Sequence, residues 1–262
     1  MLKKIYCSLA LVCLLTGTLC AADDAFCGKW KLNMEKSQFT GDQIKIKDLG
    51  GNKYEWTVGN RSDNITYDGT DQPVHFGRTI SMVPEGTNNW KMVIKKDGRV
   101  LSSMTHTISD DGKTQTIKGT ETKPDGTTSD FNVVWKKAGG GSGWGGTWES
   151  ADVKFTSPDE RDIEAYESDG LTFNTPAYQD KLSMKFDGKD YPVEGKAPGG
   201  FDHIAIKKVN DHTYEVSQKR EDKVVGSGKA TVAKDGKTTT VTLKYTNTDG
   251  KSVSTTSLYE KQ

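Results

Sequence analysis

The chain has 262 residues, with 36 basic and 36 acidic side chains. Lysines and acidic residues alternate along the same segments, so no basic face is available for a nucleic acid or an anionic membrane surface. This charge pattern argues against nucleic-acid binding.

The first 22 residues have the layout of a removable export signal. Lys3 and Lys4 form a basic start, Ile5 to Leu15 form an apolar stretch, and small residues follow up to Ala22. This order predicts a signal peptide cut after Ala22. The apolar stretch is shorter than the ~20 residues that span a bilayer, and no second stretch follows it. We therefore expect an exported protein, periplasmic or extracellular, with no transmembrane segment.

Three of the four cysteines, Cys7, Cys13 and Cys20, lie in this leader. A lipid anchor on Cys20 is the rival interpretation, which the bulky Leu19 before it disfavours. Only Cys27 remains in the mature chain, so an intramolecular disulfide is ruled out. We expect a monomer in which Cys27 is buried, rather than a dimer in which it forms a disulfide between two chains.

The mature sequence contains one pattern twice. Trp30 returns as Trp148, and the motif at 67–69 returns at 186–188. The offset is 118 residues at the tryptophans, 119 through the first third and 124 in the remainder. So steady an offset predicts a duplicated folding unit. The predicted domains are residues 23–137 and 146–262, joined by a flexible Gly-rich linker at 138–145.

Apolar residues fall at every second position in most segments, as in Tyr54/Trp56/Val58. This period predicts strands with one buried and one wet face. Asp-Gly, a strong hairpin signal, occurs eight times. Consecutive hairpins predict an all-β fold of two tandem antiparallel meanders. About eight to ten strands per copy favour closed barrels, which leave no exposed edges.

Residues typical of catalysis or metal binding form no convincing group. The four histidines lack metal spacing, and no phosphate loop or nucleophile elbow is present. Asp-Gly-x-Asp recurs as Asp68/Asp71 and Asp187/Asp190, but a hairpin already explains its first Asp. We predict a non-enzymatic protein without metal or cofactor. In an enzyme, Glu55, Asp71 and Asp190 would be the carboxylates to inspect.

Each copy opens with Gly-x-Trp, at Gly28/Trp30 and Gly146/Trp148. This opening resembles the lipocalins and the wider calycin group, in which the Trp closes one barrel end. The Thr-Asp-Tyr turn of true lipocalins is missing. The resemblance implies lipocalin-like barrels and a structural role for these four residues.

Three longer motifs, at 28–39, 187–193 and 234–238, are similar to uncharacterised secreted bacterial proteins with lipocalin-like domains. The similarity covers nearly the whole mature chain. It implies the fold, and it favours ligand binding only as an expectation, because one fold hosts many functions.

An eight-stranded barrel is wide enough for one small molecule. We therefore predict binding of a small apolar or amphipathic ligand in one or both barrels. The candidate lining residues are the inward aromatic and apolar side chains Tyr54, Trp56, Trp90, Met92, Trp135, Phe173, Tyr214 and Val216. The alternative is an envelope or extracellular interaction module whose barrels are filled by their own side chains.

Overall fold

The computed structural model describes residues 24–59, 61–157, 159–193, 201–247 and 250–262. The predicted signal peptide and Cys20 lie outside these residues. So does the segment 195–199, whose five extra residues account for the change of the repeat offset from 119 to 124. Strands make up 67% of the described residues and form two ten-stranded antiparallel sheets, each nearly closed into a barrel. The predicted all-β fold with two barrels is confirmed. Within the described residues, no helix is long and apolar enough to cross a membrane.

Barrel 1 is built from ten strands in the spatial order β4-β3-β2-β11-β10-β9-β8-β7-β6-β5. Their bounds are β2 Gln43–Gly50, β3 Lys53–Val58, β4 Arg61–Thr66, β5 Gln72–Val74, β6 Arg78–Pro84, β7 Asn89–Lys96, β8 Arg99–Ile108, β9 Thr114–Thr122, β10 Thr128–Gly139 and β11 Gly146–Phe155. A 3-10 turn at His75–Gly77 joins β5 to β6.

Barrel 2 has the spatial order β14-β13-β12-β1-β20-β19-β18-β17-β16-β15. Its strands are β1 Gly28–Leu32, β12 Glu160–Tyr166, β13 Gly170–Thr175, β14 Asp180–Lys185, β15 Tyr191–Pro192, β16 His203–Asn210, β17 Thr213–Arg220, β18 Lys223–Val232, β19 Thr238–Thr246 and β20 Ser252–Lys261. A second 3-10 turn, at Pro176–Tyr178, joins β13 to β14.

The two sequence repeats exchange their first strands. β1, from the first repeat, pairs with β12 and β20 in barrel 2. β11, from the second repeat, pairs with β10 and β2 in barrel 1. Barrel 1 is therefore the contiguous segment 43–155, whereas barrel 2 combines residues 28–32 with 160–261. The repeats at 23–137 and 146–262 thus differ from the barrels.

The Gly-rich segment explains this exchange, and its predicted role as a tether between barrels is wrong. It is the hairpin loop between β10 and β11 inside barrel 1, with Lys137 opposite Trp148 in the register. A Cβ added at Gly141 would lie 2.5 Å from the backbone of Gly145. Such a close approach needs glycine. Strands joined by a short loop pair with each other, so β11 completes barrel 1 and leaves barrel 2 to take β1.

The two Gly-x-Trp strands occupy equivalent places in opposite barrels. The Trp30 indole N–H donates to the carbonyl of Phe26 at 2.8 Å, and that of Trp148 donates to the carbonyl of Trp144 at 2.9 Å. Both tryptophan side chains are fully buried. A lysine ammonium lies over each ring, Lys261 in barrel 2 and Lys137 in barrel 1. Each Trp therefore anchors the core of the barrel that receives its strand.

A polar side chain bridges the unpaired edge of barrel 1. The Gln72 side-chain oxygen accepts the Thr66 backbone N–H at 2.7 Å, and its amide nitrogen donates to the Thr66 carbonyl at 2.6 Å. This amide imitates a strand partner for β4, which would otherwise present free backbone groups.

The chain crosses between the barrels after β1 and again after β11, and side chains add further contacts. The Tyr178 hydroxyl in barrel 2 donates to a Glu121 carboxylate oxygen in barrel 1 at 3.2 Å. Burial raises the pKa of the Glu121 carboxyl. The buried Lys123 ammonium donates to the Ser157 carbonyl at 3.2 Å. The first contact links the 3-10 turn of barrel 2 to the β9–β10 end of barrel 1, and the second ties that end to the segment that follows β11.

Candidate functional site

The inner wall of barrel 1 carries a continuous aromatic cluster. Tyr54 stacks on Tyr67 with ring centroids 4.4 Å apart, and Tyr67 meets Trp90 edge-on at 4.2 Å. Trp90 in turn stacks on Trp144, from the β10–β11 loop, at 3.6 Å. Trp90 and Trp144 are buried, whereas Tyr54 is half-buried. These rings fill one end of the barrel.

Two other predicted lining residues continue this wall. The Trp56 indole N–H donates to the Tyr67 hydroxyl oxygen at 2.6 Å, and its ring is half-buried. Met92 is buried and is opposite Met82 on one side and Met104 on the other. The side chains farther along the inner wall are half-buried apolar groups: Ile94, Met104, Phe131 and Val133. The inner wall therefore changes from a packed aromatic end to this half-buried apolar stretch, which we call the mouth.

Three polar side chains lie on the inner wall of barrel 1, one on each of the neighbouring strands β8, β9 and β10. His106 on β8 and Gln115 on β9 are 1% and 2% exposed, and Trp135 on β10 is 8% exposed. The Gln115 side-chain nitrogen lies 2.9 Å from Nδ1 of His106. Trp135 is directly opposite Gln115 in the sheet register. We call His106, Gln115 and Trp135 the polar trio.

The polar trio presents two N–H donors to the barrel interior. Because the Gln115 amide donates to Nδ1, the proton of a neutral His106 ring is on Nε2. Burial lowers the pKa of His106 to about 3, so the ring is neutral at pH 7. Nε2 of His106 and Nε1 of Trp135 are both buried, and neither has a hydrogen-bond partner among the described residues. A buried N–H without an acceptor costs about 1–3 kcal/mol.

Barrel 2 differs at the corresponding positions. At the offset of 124 residues, these positions are Ala230, Thr239 and Tyr259. The Tyr259 ring packs under the guanidinium of Arg161 at 4.7 Å. Thr239 contributes a buried hydroxyl without a partner among the described residues, and a hydroxyl can donate or accept. Two obligate donors are therefore present at these positions in barrel 1 and absent in barrel 2.

The predicted lining residues of barrel 2 are part of its packed core. Tyr214 is 6% exposed and lies 4.6 Å from the Phe26 ring. Phe173 is half-buried, with its ring 6.5 Å from that of Tyr214. Val216 is 8% exposed in the same core. The structure brings all three together, within one barrel that also contains Trp30.

A groove of about 730 Å³ lies on the outer face of barrel 2. It runs across β16, β17, β18 and β19, whose inner face carries Ile206, Val216 and Ala230. Because side chains alternate, the outer face presents polar groups to the groove. These are Lys207, Glu215, Ser217, Ser227, Lys229, Thr242 and Lys244.

The repeated Asp-Gly-x-Asp motif has a structural explanation in both barrels. The carboxylate of Asp71 pairs with Lys95 at 2.8 Å, and that of Asp190 pairs with Lys219 at 2.6 Å. These lysines are themselves related by the offset of 124 residues. Glu55 lies on β3, apart from both pairs. Within the described part of the chain, no group of three or more His, Cys, Asp or Glu side chains could hold a metal ion.

Sequence reasoning missed His106 and Gln115 as interior residues, and it missed Trp144 and Tyr67 as parts of the aromatic cluster. The sequence does indicate that His106 faces the interior. His106 stands at even spacing between Met104 and Ile108, so the alternation places its side chain on the apolar face. Trp144 belongs to the segment that was interpreted as a linker, which hid its role.

No family model, curated protein or solved structure matches this chain.

Proposed function

We propose that this is an exported, non-enzymatic protein that binds a small amphipathic ligand inside barrel 1. The polar trio carries this proposal, because its two buried donors need an oxygen acceptor that no described side chain provides. A binding pocket typically combines an apolar lining with a few convergent polar groups. The lipocalin-like resemblance agrees with this function as an expectation only.

The difference between the barrels supports barrel 1 over barrel 2. A duplicated core must keep its packing residues in both copies, as Trp30 and Trp148 do. The polar trio occurs in one copy only, so packing alone does not account for it. The half-buried mouth of barrel 1 offers an apolar lining of Met104, Phe131 and Val133 for the ligand tail.

Native mass spectrometry of the mature protein, purified from the exported fraction of its own host, tests the proposal. We expect one co-purifying small molecule per chain. Trp135→Phe, which removes an N–H but keeps an aromatic ring, should lower the fraction of chains that carry the adduct. Tyr259→Phe at the matched position of barrel 2 should retain it. A bare mass for the unmodified protein would contradict the proposal.

The outer groove supports a second candidate function, an interaction module that docks an acidic segment of another protein. Three lysines and one glutamate line the groove, and Lys229 is engaged by Glu215 at 3.6 Å. The exposed Lys207 and Lys244 then supply positive charge. We expect Lys207→Glu with Lys244→Glu to abolish pull-down of acidic partners, whereas Lys118→Glu on barrel 1 should not. Equal capture of acidic partners by both variants would contradict this candidate function.

A further inference from the structure

From the polar trio, and resting on the ligand-binding function proposed above, we infer that the ligand is an apolar chain bearing a neutral carbonyl oxygen, as in an ester, amide, ketone or lactone. The carbonyl accepts hydrogen bonds from Nε2 of His106 and Nε1 of Trp135.

The donors determine the polarity of the ligand's head group. Both groups are obligate donors in this arrangement, because Nδ1 of His106 is already engaged by Gln115. An indole N–H never accepts a hydrogen bond. A head group that can only donate, such as an ammonium, would leave both protein N–H groups and its own N–H groups without an acceptor. An oxygen acceptor satisfies both protein donors with its two lone pairs.

The charge of the surroundings determines the charge of the head group. The His106 ring is hydrogen-bonded to Gln115 and lies edge-on to Trp56, neither of which is charged. His106 itself is neutral because burial lowers its pKa to about 3. A buried carboxylate without a cation costs several kcal/mol in lost hydration. A neutral carbonyl needs no counter-charge, so it fits this site better than a fatty-acid carboxylate.

The apolar part of the ligand follows from the inner wall. Toward the mouth, His106 is followed on β8 by Met104, and Trp135 is followed on β10 by Val133 and Phe131. These side chains are half-buried and carry no polar groups. A hydrocarbon chain placed along them gains from burial of apolar surface.

Displacement of the neutral dye N-phenyl-1-naphthylamine from the full-length mature protein tests the inference. The competitors are methyl decanoate, decanoate, decylamine and undecane, which share a chain of similar length. We expect methyl decanoate to displace the dye at concentrations at least tenfold below those of the other three. Two hydrogen bonds of about 1 kcal/mol each account for a preference of that size.

Two variants and one control connect this preference to the trio. His106→Phe and Trp135→Phe each remove one N–H, and each should reduce the ester preference about threefold to tenfold. Tyr259→Phe in barrel 2 should leave it unchanged. Near-ultraviolet circular dichroism checks that each variant is folded. If His106→Phe fails to fold, Trp135→Phe carries the test.

The outcomes separate the two proposals. Failure of the dye and of every competitor to bind would overturn the proposed function itself. If the dye binds but the ester is no better than undecane, the inference is wrong and an internal water is the acceptor of the two N–H groups. Stronger displacement by decanoate would also overturn it, because the head group would then be an anion. Unchanged preference in both variants would place the carbonyl elsewhere in the barrel.

Discussion

His106 makes the stability of the protein sensitive to acid. Burial lowers its folded pKa to about 3, whereas an unfolded histidine titrates near 6.5. Above pH 6.5 the ring is neutral in both states. Below that pH the unfolded chain binds a proton that the folded chain does not. The free energy of unfolding should therefore fall as pH drops from 6.5 towards 3, by up to about 1.4 kcal/mol per pH unit from this group.

Urea unfolding between pH 7 and pH 4 measures this dependence. His106→Gln should show a shallower loss of stability than the unmodified protein, while the exposed His212→Gln should follow the unmodified protein. The carboxylates titrate in all three proteins, so the difference isolates His106. Parallel curves for all three would contradict a neutral, buried His106.

The glycines of the two Gly-x-Trp motifs differ in what surrounds them. Gly28 and Gly146 have φ of +132° and +130°, which an L-residue rarely adopts. A Cβ at Gly146 would lie 2.2 Å from the carbonyl oxygen of Gly140, whereas one at Gly28 would meet only the flexible end of Lys261. We expect Gly146→Ala to destabilise the protein by at least ~1 kcal/mol more than Gly28→Ala. Chemical denaturation checks the order, and a reversed order would be inconsistent with the loop geometry.

Strand exchange predicts that the two tryptophans act on opposite repeats. Trp30→Ala should loosen barrel 2, and Trp148→Ala should loosen barrel 1, each at a cost of about 3–5 kcal/mol. Hydrogen exchange followed by mass spectrometry resolves this strand by strand. For Trp30→Ala, protection should fall in β12 and β20 more than in β2 and β3. Loss confined to the repeat that carries the substitution would argue against the exchange.

At the scale of strands, the alternation of apolar residues predicted most of the observed strands and their buried faces. The repeat aligns residues 163–166 with part of β2, and they lie in β12. Alternation specifies which face of a strand is buried. It does not specify which neighbour the strand pairs with, because every strand here has similar hydrogen-bonding edges. The partners of β1 and β11 were therefore not predictable from their own residues.

At the scale of the whole molecule, barrel 1 is built from one contiguous stretch of chain, whereas barrel 2 combines two separate stretches. Residues 43–157 contain every strand of barrel 1, so this fragment should fold alone. Residues 159–262 lack β1 and its buried Trp30, so this fragment should remain partly unfolded. A peptide of residues 24–42 added in trans should restore its structure. Circular dichroism and NMR dispersion of the fragments measure both expectations. Independent folding of residues 159–262 without the peptide would contradict them.

The candidate site was predictable in part. The inward positions of Tyr54, Trp56, Trp90, Met92 and Trp135 follow from spacing alone, and the structure gathers them on one inner wall. Their contacts do not follow from spacing. The link between His106, Gln115 and Trp135 crosses three strands, so it depends on the register of two ladders.

By itself, the sequence determined the strand content, the turns, the buried faces and the duplication, because these depend on residues close together in the chain. Only the tertiary structure decided which barrel each Gly-x-Trp strand completes and where two buried donors meet. Both outcomes depend on pairing between distant segments. The Gly-rich composition of 138–145 suits a tether and a hairpin equally well, and the pairing of β10 with β11 selects the hairpin.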